Sequence, residues 1–169
     1  MKILGLTGWS GSGKTTLIVK LVPELVSRGL RISTLKHAHH EFDIDKPGKD
    51  SHRHRAAGAT EVMVASAQRW ALMHEHRGGA ERTAPEPTIP ELIRHMTPVD
   101  LLLVEGFKRD THDKLEIFRR DLGKPLLSPD DPSFIGILSD GSVPESRLPV
   151  TDLNDIIAIA DLIVTWQRR

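Results

Sequence analysis

A glycine-rich run near the start of the chain has the residue types and spacing needed to hold a row of phosphates. Residues 8–15 read Gly-Trp-Ser-Gly-Ser-Gly-Lys-Thr and match the pattern G-x-x-x-x-G-K-[ST] at every position. The glycines let the backbone curl so that N–H groups point at phosphate oxygens, and a following helix adds the positive potential of its N-terminus. The run therefore predicts a site for a nucleoside triphosphate.

The roles inside this loop follow from the chemistry of each side chain. Lys14 is expected to reach the β- and γ-phosphates and to assist catalysis, and the Thr15 hydroxyl is expected to ligate Mg²⁺. The other residues expected to bind the nucleotide are Gly8, Gly11, Ser12, Gly13 and Thr16. A plain strand-to-helix turn is the alternative, but a predicted strand before the loop and a predicted helix after it favour binding.

A second part of the site is expected where residues 101–106 read Leu-Leu-Leu-Val-Glu-Gly. A buried strand that ends in an acidic residue would place a carboxylate beside the loop. Glu105 would then hold Mg²⁺ through water or orient an attacking water, which makes it the second catalytic candidate. Glutamate replaces the more usual aspartate here, and a solvated strand end is the alternative interpretation.

The elements that position these residues alternate between short apolar strands and amphipathic helices. Strands are predicted at 3–7, 31–36, 100–104, 114–118 and 134–138, with a hairpin at 60–65 and 69–73. Helices are predicted over 17–25, from Asp50 or Ser51 to Ala57, at 89–96, and from Asp152 or Asn154 onward. This order predicts an α/β, three-layer P-loop NTPase fold: a mostly parallel twisted sheet flanked by helices, plus a small hairpin or extra strands. The 169 residues are expected to form one nucleotide-binding domain, 1–169, with a surface loop at 77–90.

Composition limits the classes of partner. The 23 Lys and Arg balance the 23 Asp and Glu, so no overall charge favours nucleic acid or an anionic membrane. There is no cysteine for disulfides or thiolate metal sites. No apolar stretch approaches the roughly 20 residues of a membrane helix. We expect a cytoplasmic protein that binds neither nucleic acid nor membrane.

Two further segments make the chain resemble a known family. The residues Asp-Ile-Asp-Lys-Pro-Gly-Lys-Asp-Ser at 43–51 and Val-Glu-Gly-Phe-Lys at 104–108, together with 9–16, Lys36-His37 and His39-His40, are similar to the MobB family of molybdopterin-guanine dinucleotide biosynthesis adaptors. The resemblance continues through 65–73 and weakly into the last helix. The phosphate-binding loop is shared by many unrelated enzymes, whereas the other two segments are more specific.

The resemblance implies a GTP-binding homodimer with weak Mg²⁺-dependent GTPase activity. Such a protein assists the molybdopterin guanylyltransferase and helps to deliver the finished cofactor. It also implies that residues 11–16 bind phosphates, that Glu105 lies at the Mg²⁺ site, and that a switch-like loop brings Asp43 and Asp45 to the metal. The N-K-x-D guanine reader of common GTPases is absent. Asp140, after a predicted strand, is a candidate acceptor for guanine N–H groups, with an ordinary turn aspartate as the alternative.

Two other functions stay open from the residues alone. A small-molecule kinase would use the same loop, with Asp43 or Asp45 as base and Arg119-Arg120 as lid arginines. A nucleotide-gated metal chaperone is suggested by the histidines His37, His39, His40, His52 and His54. The alternatives to a metal site are that these histidines belong to a solvated loop or that they contact an anion. Trp70 and Trp166 are expected to be core or interface anchors, and Trp9 to lie near the nucleotide or a partner.

Overall fold

The computed structural model of the chain describes residues 1–38, 42–76 and 86–169. In chain order, the elements are β1 (Lys2–Thr7), α1 (Lys14–Ser27), β2 (Ile32–Lys36), α2 (Asp50–Ala56), β3 (Glu61–Ala65), β4 (Trp70–His74), α3 (Ile89–Ile93), β5 (Leu101–Glu105), β6 (Lys114–Phe118), β7 (Phe134–Ser139), β8 (Val150–Asp152) and α4 (Ile156–Gln167). They fall into two compact units, residues 1–39 with 97–169 and residues 40–96. That residues 1–169 form a single domain stays a prediction.

The first unit is built on a six-stranded sheet in which every neighbouring pair is parallel. The strand order is β2-β5-β1-β6-β7-β8. Because the strands are parallel, the carboxyl ends of β1, β2, β5, β6 and β7 meet at one edge, where ligands bind in open α/β sheets. The predicted phosphate-binding loop follows β1, and Glu105 is the last residue of β5. These two strands are direct neighbours in the sheet.

Helices α1 and α4 cover one face of this sheet. Leu17, Leu21 and Leu25 recur every four residues along α1, so they line one side of the helix and are buried in the main core. Ile159 and Ile163 do the same for α4. The central strands contribute leucines that are fully buried. This packing fixes the start of α1, and therefore the loop that precedes it.

The second unit contains α2, α3 and the antiparallel hairpin β3–β4. In the hairpin, Ala65 pairs with Trp70 and Glu61 with His74, as the predicted hairpin requires. Its turn is closed by the Ser66 N–H, which donates to Arg69 O over 2.8 Å. Val62 is the buried hairpin residue, whereas Met63 and Trp70 are about 60% exposed (60% and 61%). The predicted α/β fold, with its parallel sheet, flanking helices and extra hairpin, is confirmed.

Three details differ from the sequence-based prediction. The helix predicted at 89–96 ends at Ile93, because the next N–H groups bond to carbonyls three residues back (Arg94 to Glu91, Met96 to Ile93), which tightens the chain. The last helix begins at Ile156, with Asp155 as its N-cap accepting from the Ala158 N–H over 2.9 Å. Strand β8, with three residues, was too short to show an alternating pattern.

None of the helices in the described ranges combines the length and apolar character that a bilayer crossing requires.

Candidate functional site

The loop at residues 8–13 joins β1 to α1 and has the backbone shape its glycines predict. Gly11 and Gly13 have φ angles of 81° and 96°, in the left-handed region where a side chain would be strained. Position 8 requires glycine for a different reason, because a Cβ there would lie 2.5 Å from Ile117 O of the neighbouring strand β6. The loop therefore needs glycine for its curl and for its close approach to the sheet.

The Lys14 ammonium lies over the beginning of this loop. Its Nζ donates to Gly8 O over 3.0 Å and to Trp9 O over 2.9 Å, which holds the charge inside the curl. Burial lowers the pKa of Lys14 below its ordinary value, and the positive charges of Lys108 and Lys36 lower it further, although Glu105 opposes this. Lys14 is thus a partly desolvated cation at the position where the motif places a phosphate contact.

Thr15, in the first turn of α1, and Glu105, at the end of β5, come together at the expected site. The Thr15 hydroxyl donates to Glu105 Oε1 over 3.0 Å, and Lys36 Nζ lies 3.4 Å from the same oxygen. Glu105 is about nine-tenths buried at the end of β5. A hydroxyl and a carboxylate are the oxygen ligands that Mg²⁺ takes in proteins, so these two residues fit the metal. Thr16 is exposed.

Asp140 lies at the carboxyl end of β7 and is connected to the loop through Arg119. The Arg119 guanidinium makes an ion pair with Asp140, and its Nε donates to Ser12 O over 3.1 Å. Arg119 follows β6, so the pair spans two neighbouring strands at the same edge of the sheet. Sequence reasoning considered Arg119 only as a lid arginine of a kinase. Its position directly after a strand was the available signal.

Trp9 lies at the edge of the loop with two lysines near its ring. Lys108 Nζ lies 4.7 Å and Lys124 Nζ 5.9 Å from the ring centroid, and Trp9 Nε1 donates to Pro125 O over 2.8 Å. The indole is therefore fixed at its polar end and faces positive charge. Sequence reasoning placed Trp9 near the nucleotide or a partner but did not single out Lys124, which belongs to no motif.

The Val-Glu-Gly-Phe-Lys segment turns sharply after Glu105. Gly106 has a φ of 98°, and a Cβ on it would lie 2.9 Å from the Cβ of His37. The next residue, Phe107, also has a positive φ of 47° and places its ring 4.6 Å from the His37 ring. The Thr7 hydroxyl donates to Gly106 O over 3.3 Å. These contacts bring Lys108 toward the phosphate-binding loop. They also explain structurally why the segment has a glycine at 106 and a phenylalanine at 107.

Asp43 and Asp45 belong to the second unit, where they surround Arg55. Arg55 donates to both carboxylate oxygens of Asp43, and its Nε lies 3.8 Å from Asp45 Oδ2. The hydrogen bonds from Arg55 lower the pKa of Asp43, so this carboxylate stays charged. Asp45 also accepts from the Ser51 hydroxyl over 2.8 Å. The metal role of Asp43 and Asp45 stays a prediction.

The described histidines do not form a preformed metal site. His39 and His40 lie outside the described residues, as does the glycine pair of the predicted surface loop. In residues 1–38, 42–76 and 86–169, no group of three or more His, Asp and Glu side chains is arranged to hold a metal ion. The His37 ring instead packs on Phe107.

Comparison with known proteins identifies the family. The family model for "Molybdopterin guanine dinucleotide synthesis protein B", MobB, matches residues 3–140. Two proteins named molybdopterin-guanine dinucleotide biosynthesis adapter protein are similar along their length: the one from Escherichia coli is 42% identical (99% of this chain, 94% of the relative), and the one from Haemophilus influenzae 40% (97% and 88%). A crystal structure of molybdopterin-guanine biosynthesis protein B matches with a TM-score of 0.75 and 26% identity, over 99% of each chain.

Proposed function

Because the chain belongs to the MobB family, we propose that it is a GTP-binding adaptor of molybdopterin guanine dinucleotide biosynthesis with slow Mg²⁺-dependent GTPase activity. In this role it assists the molybdopterin guanylyltransferase or helps to deliver the finished cofactor. The proposal places the protein in the cytoplasm as one nucleotide-binding domain. The adapter proteins from Escherichia coli and Haemophilus influenzae support the role through their similarity to nearly the whole chain.

The observation that carries nucleotide binding is the convergence of Lys14, Thr15 and Glu105 at one edge of the sheet. The N–H groups of the curled loop would bind an anion, and Lys14 supplies a partly desolvated positive charge. Residues Gly8, Gly11, Ser12, Gly13 and Thr16 complete the proposed phosphate contacts. In a buried setting these interactions are stronger than they would be in water.

Thr15 and Glu105 would hold Mg²⁺, and when bound the ion neutralises charge on the phosphates. Glu105 accepts from Thr15 and pairs with Lys36, so its carboxylate is held in one orientation at the end of β5. From there Glu105 would position a water for attack on the terminal phosphate. We include Asp43 and Asp45 as further metal or water contacts, which requires exchange of their contacts with Arg55.

Guanine selection is assigned to Asp140. Its carboxylate can accept from guanine N1–H and N2–H, whereas adenine offers no such pair of donors. Arg119 orients this carboxylate and is hydrogen-bonded to the loop at Ser12. The pair would thereby connect base recognition to the phosphate site.

The protein is proposed to be a homodimer, with the β3–β4 hairpin as its interface. Met63 and Trp70 are 60% and 61% exposed and share one face of the hairpin, since Met63 pairs with Leu72 and Trp70 with Ala65, and exposed apolar side chains on one face favour association. A second copy of the chain would present the same apolar face of its own hairpin to this surface.

The function is tested by titrating the protein with GTP and with ATP in the presence of Mg²⁺, followed by co-purification with the guanylyltransferase. Tight binding of GTP over ATP and capture of the transferase are expected. The Lys14→Ala variant should lose both GTP binding and any nucleotide-dependent capture. ATP preference with phosphate transfer to a small acceptor would instead establish the kinase alternative.

A further inference from the structure

Trp9, Lys108 and Lys124 form a small cationic group at the phosphate-binding loop, which we call the Trp9 cluster. Its geometry is set by the indole, whose Nε1 donates to Pro125 O over 2.8 Å. The two ammonium groups lie 4.7 Å and 5.9 Å from the ring centroid, within the range at which a cation is attracted by an aromatic face. Two positive charges therefore lie within about 6 Å of one indole ring.

These charges lack the acidic partner that other cations of the site have. Lys36 pairs with Glu105 and Arg119 with Asp140. Across the described parts of the chain, neither Lys108 nor Lys124 has a carboxylate oxygen within 4.0 Å. An anion bound beside these ammonium groups would supply the opposite charge that neither of them has.

The location of the cluster indicates which anion this is. Trp9 O accepts from Lys14 Nζ over 2.9 Å, and Lys14 is the residue that reaches the outer phosphates of a nucleotide in such loops. Lys108 lies close enough to Lys14 to lower its pKa, after the larger effect of burial. The cluster therefore borders the end of the site where the terminal phosphate would lie.

We propose that Lys108 and Lys124, positioned on the Trp9 ring, recognise the terminal phosphate of a bound nucleoside triphosphate and make the protein distinguish GTP from GDP. This inference rests on the proposed nucleotide binding. A triphosphate presents an additional charged phosphate at this end, whereas a diphosphate leaves the two ammonium groups without an anion. The cluster is thus a specificity element for the state of the nucleotide.

The test measures, by calorimetry with Mg²⁺, the affinities of a non-hydrolysable GTP analogue and of GDP for the wild-type protein and for the Lys108→Ala/Lys124→Ala variant. The ratio of the two affinities should fall roughly tenfold in the variant, while GDP affinity changes by less than about twofold. GDP binding also reports that the variant is folded. The matched control is Lys2→Ala, because Lys2 Nζ lies 5.4 Å from the Trp166 ring centroid at the start of β1 and makes the same type of contact.

Equal losses of the GTP analogue and GDP would overturn the inference, since they would indicate a general or structural effect. An unchanged ratio would overturn it as well. If the wild-type protein binds neither nucleotide, the proposed function itself fails, and this outcome is distinguishable from both others. The Trp9→Phe variant, which retains an aromatic face, should keep most of the wild-type ratio, whereas Trp9→Ala should approach that of the double variant.

Discussion

The Thr15 hydroxyl donates a hydrogen bond to Glu105 Oε1 over 3.0 Å, which joins the first turn of α1 to the end of β5. The two residues are 90 positions apart in the chain, and they meet because β1 and β5 are neighbouring parallel strands. One residue follows the phosphate-binding loop and the other ends a fully buried strand. Their contact defines the proposed metal site.

Replacing Glu105 by glutamine should remove the Mg²⁺-dependent part of GTP affinity. The amide keeps the size of the side chain but loses the negative charge that a divalent ion requires. We expect affinity in the presence of Mg²⁺ to fall roughly tenfold, and affinity in the presence of EDTA to change little. Titrating the wild-type protein and the Glu105→Gln variant with GTP, once with Mg²⁺ and once with EDTA, measures these affinities. Thr15→Ser, which retains a hydroxyl, is the control; an equal loss with and without the ion would contradict the metal role.

GTP affinity should decline at alkaline pH because Lys14 loses its proton earlier than an ordinary lysine. Burial lowers the pKa of Lys14, so its positive charge is lost at a lower pH than that of an ordinary lysine, whose pKa is about 10.4. Nucleotide titrations at increasing pH should show affinity falling as the ammonium deprotonates. The Lys14→Arg variant, which stays charged, should show a flatter profile. Identical profiles for the two proteins would exclude Lys14 as the titrating group.

Asp140→Asn should weaken GTP binding while leaving the weaker ATP binding unchanged. An amide cannot accept from both guanine N–H donors, and adenine makes no such contact. Competition titrations with GTP and ATP give the ratio, and Asp121→Asn, an exposed aspartate of the preceding turn, is the control. If both nucleotides lose affinity equally, Asp140 acts only through Arg119 and the loop.

How much of this site is predictable from sequence depends on how far apart its parts lie. The phosphate-binding loop is local, and Glu105 is visible as the acidic end of a strongly apolar strand. The pairing of Arg119 with Asp140 depends on β6 and β7 being neighbours, which no local pattern reveals. Lys124 likewise reaches Trp9 from a distant turn.

Trp70 shows the same limit for packing. Its size predicts a core or interface position, and with 61% of its surface exposed it is not a core residue. In a two-stranded hairpin, the residue type does not reveal which face another element covers. The interface alternative stays a prediction and can be tested directly.

Trp70→Glu should convert the proposed dimer into a monomer. A carboxylate on the apolar hairpin would have to be buried without a partner, which costs more than the contact contributes. Sedimentation velocity measures the mass, and Glu61→Gln on the same hairpin, an exposed polar change, should leave it unaffected. A wild-type protein that sediments as a monomer would contradict the homodimer proposal.

Lys114 should make a large contribution to stability, because its ammonium is completely buried and satisfied. Its Nζ donates to Lys108 O, Asp110 O and Asp131 Oδ2 over 3.0, 2.6 and 2.6 Å. Lys114→Met keeps the apolar stem but removes all three bonds, and we expect the free energy of unfolding to fall by about 2–3 kcal/mol in urea titrations. Lys20→Met, on the exposed side of α1, is the matched control, and equal unfolding midpoints for the two variants would contradict this role.

The same ion pair should make stability sensitive to acid. Burial alone would raise the pKa of Asp131, but the hydrogen bonds from Lys114 and Ser133 outweigh it and hold the pKa at about 2. A folded-state pKa below the unfolded value of about 3.9 means that the stabilisation is complete above that value and is lost as the pH falls toward 2. Asp131→Asn should therefore flatten the decline in unfolding free energy over this pH range. The wild-type slope persisting in the variant would assign the acid sensitivity to other carboxylates.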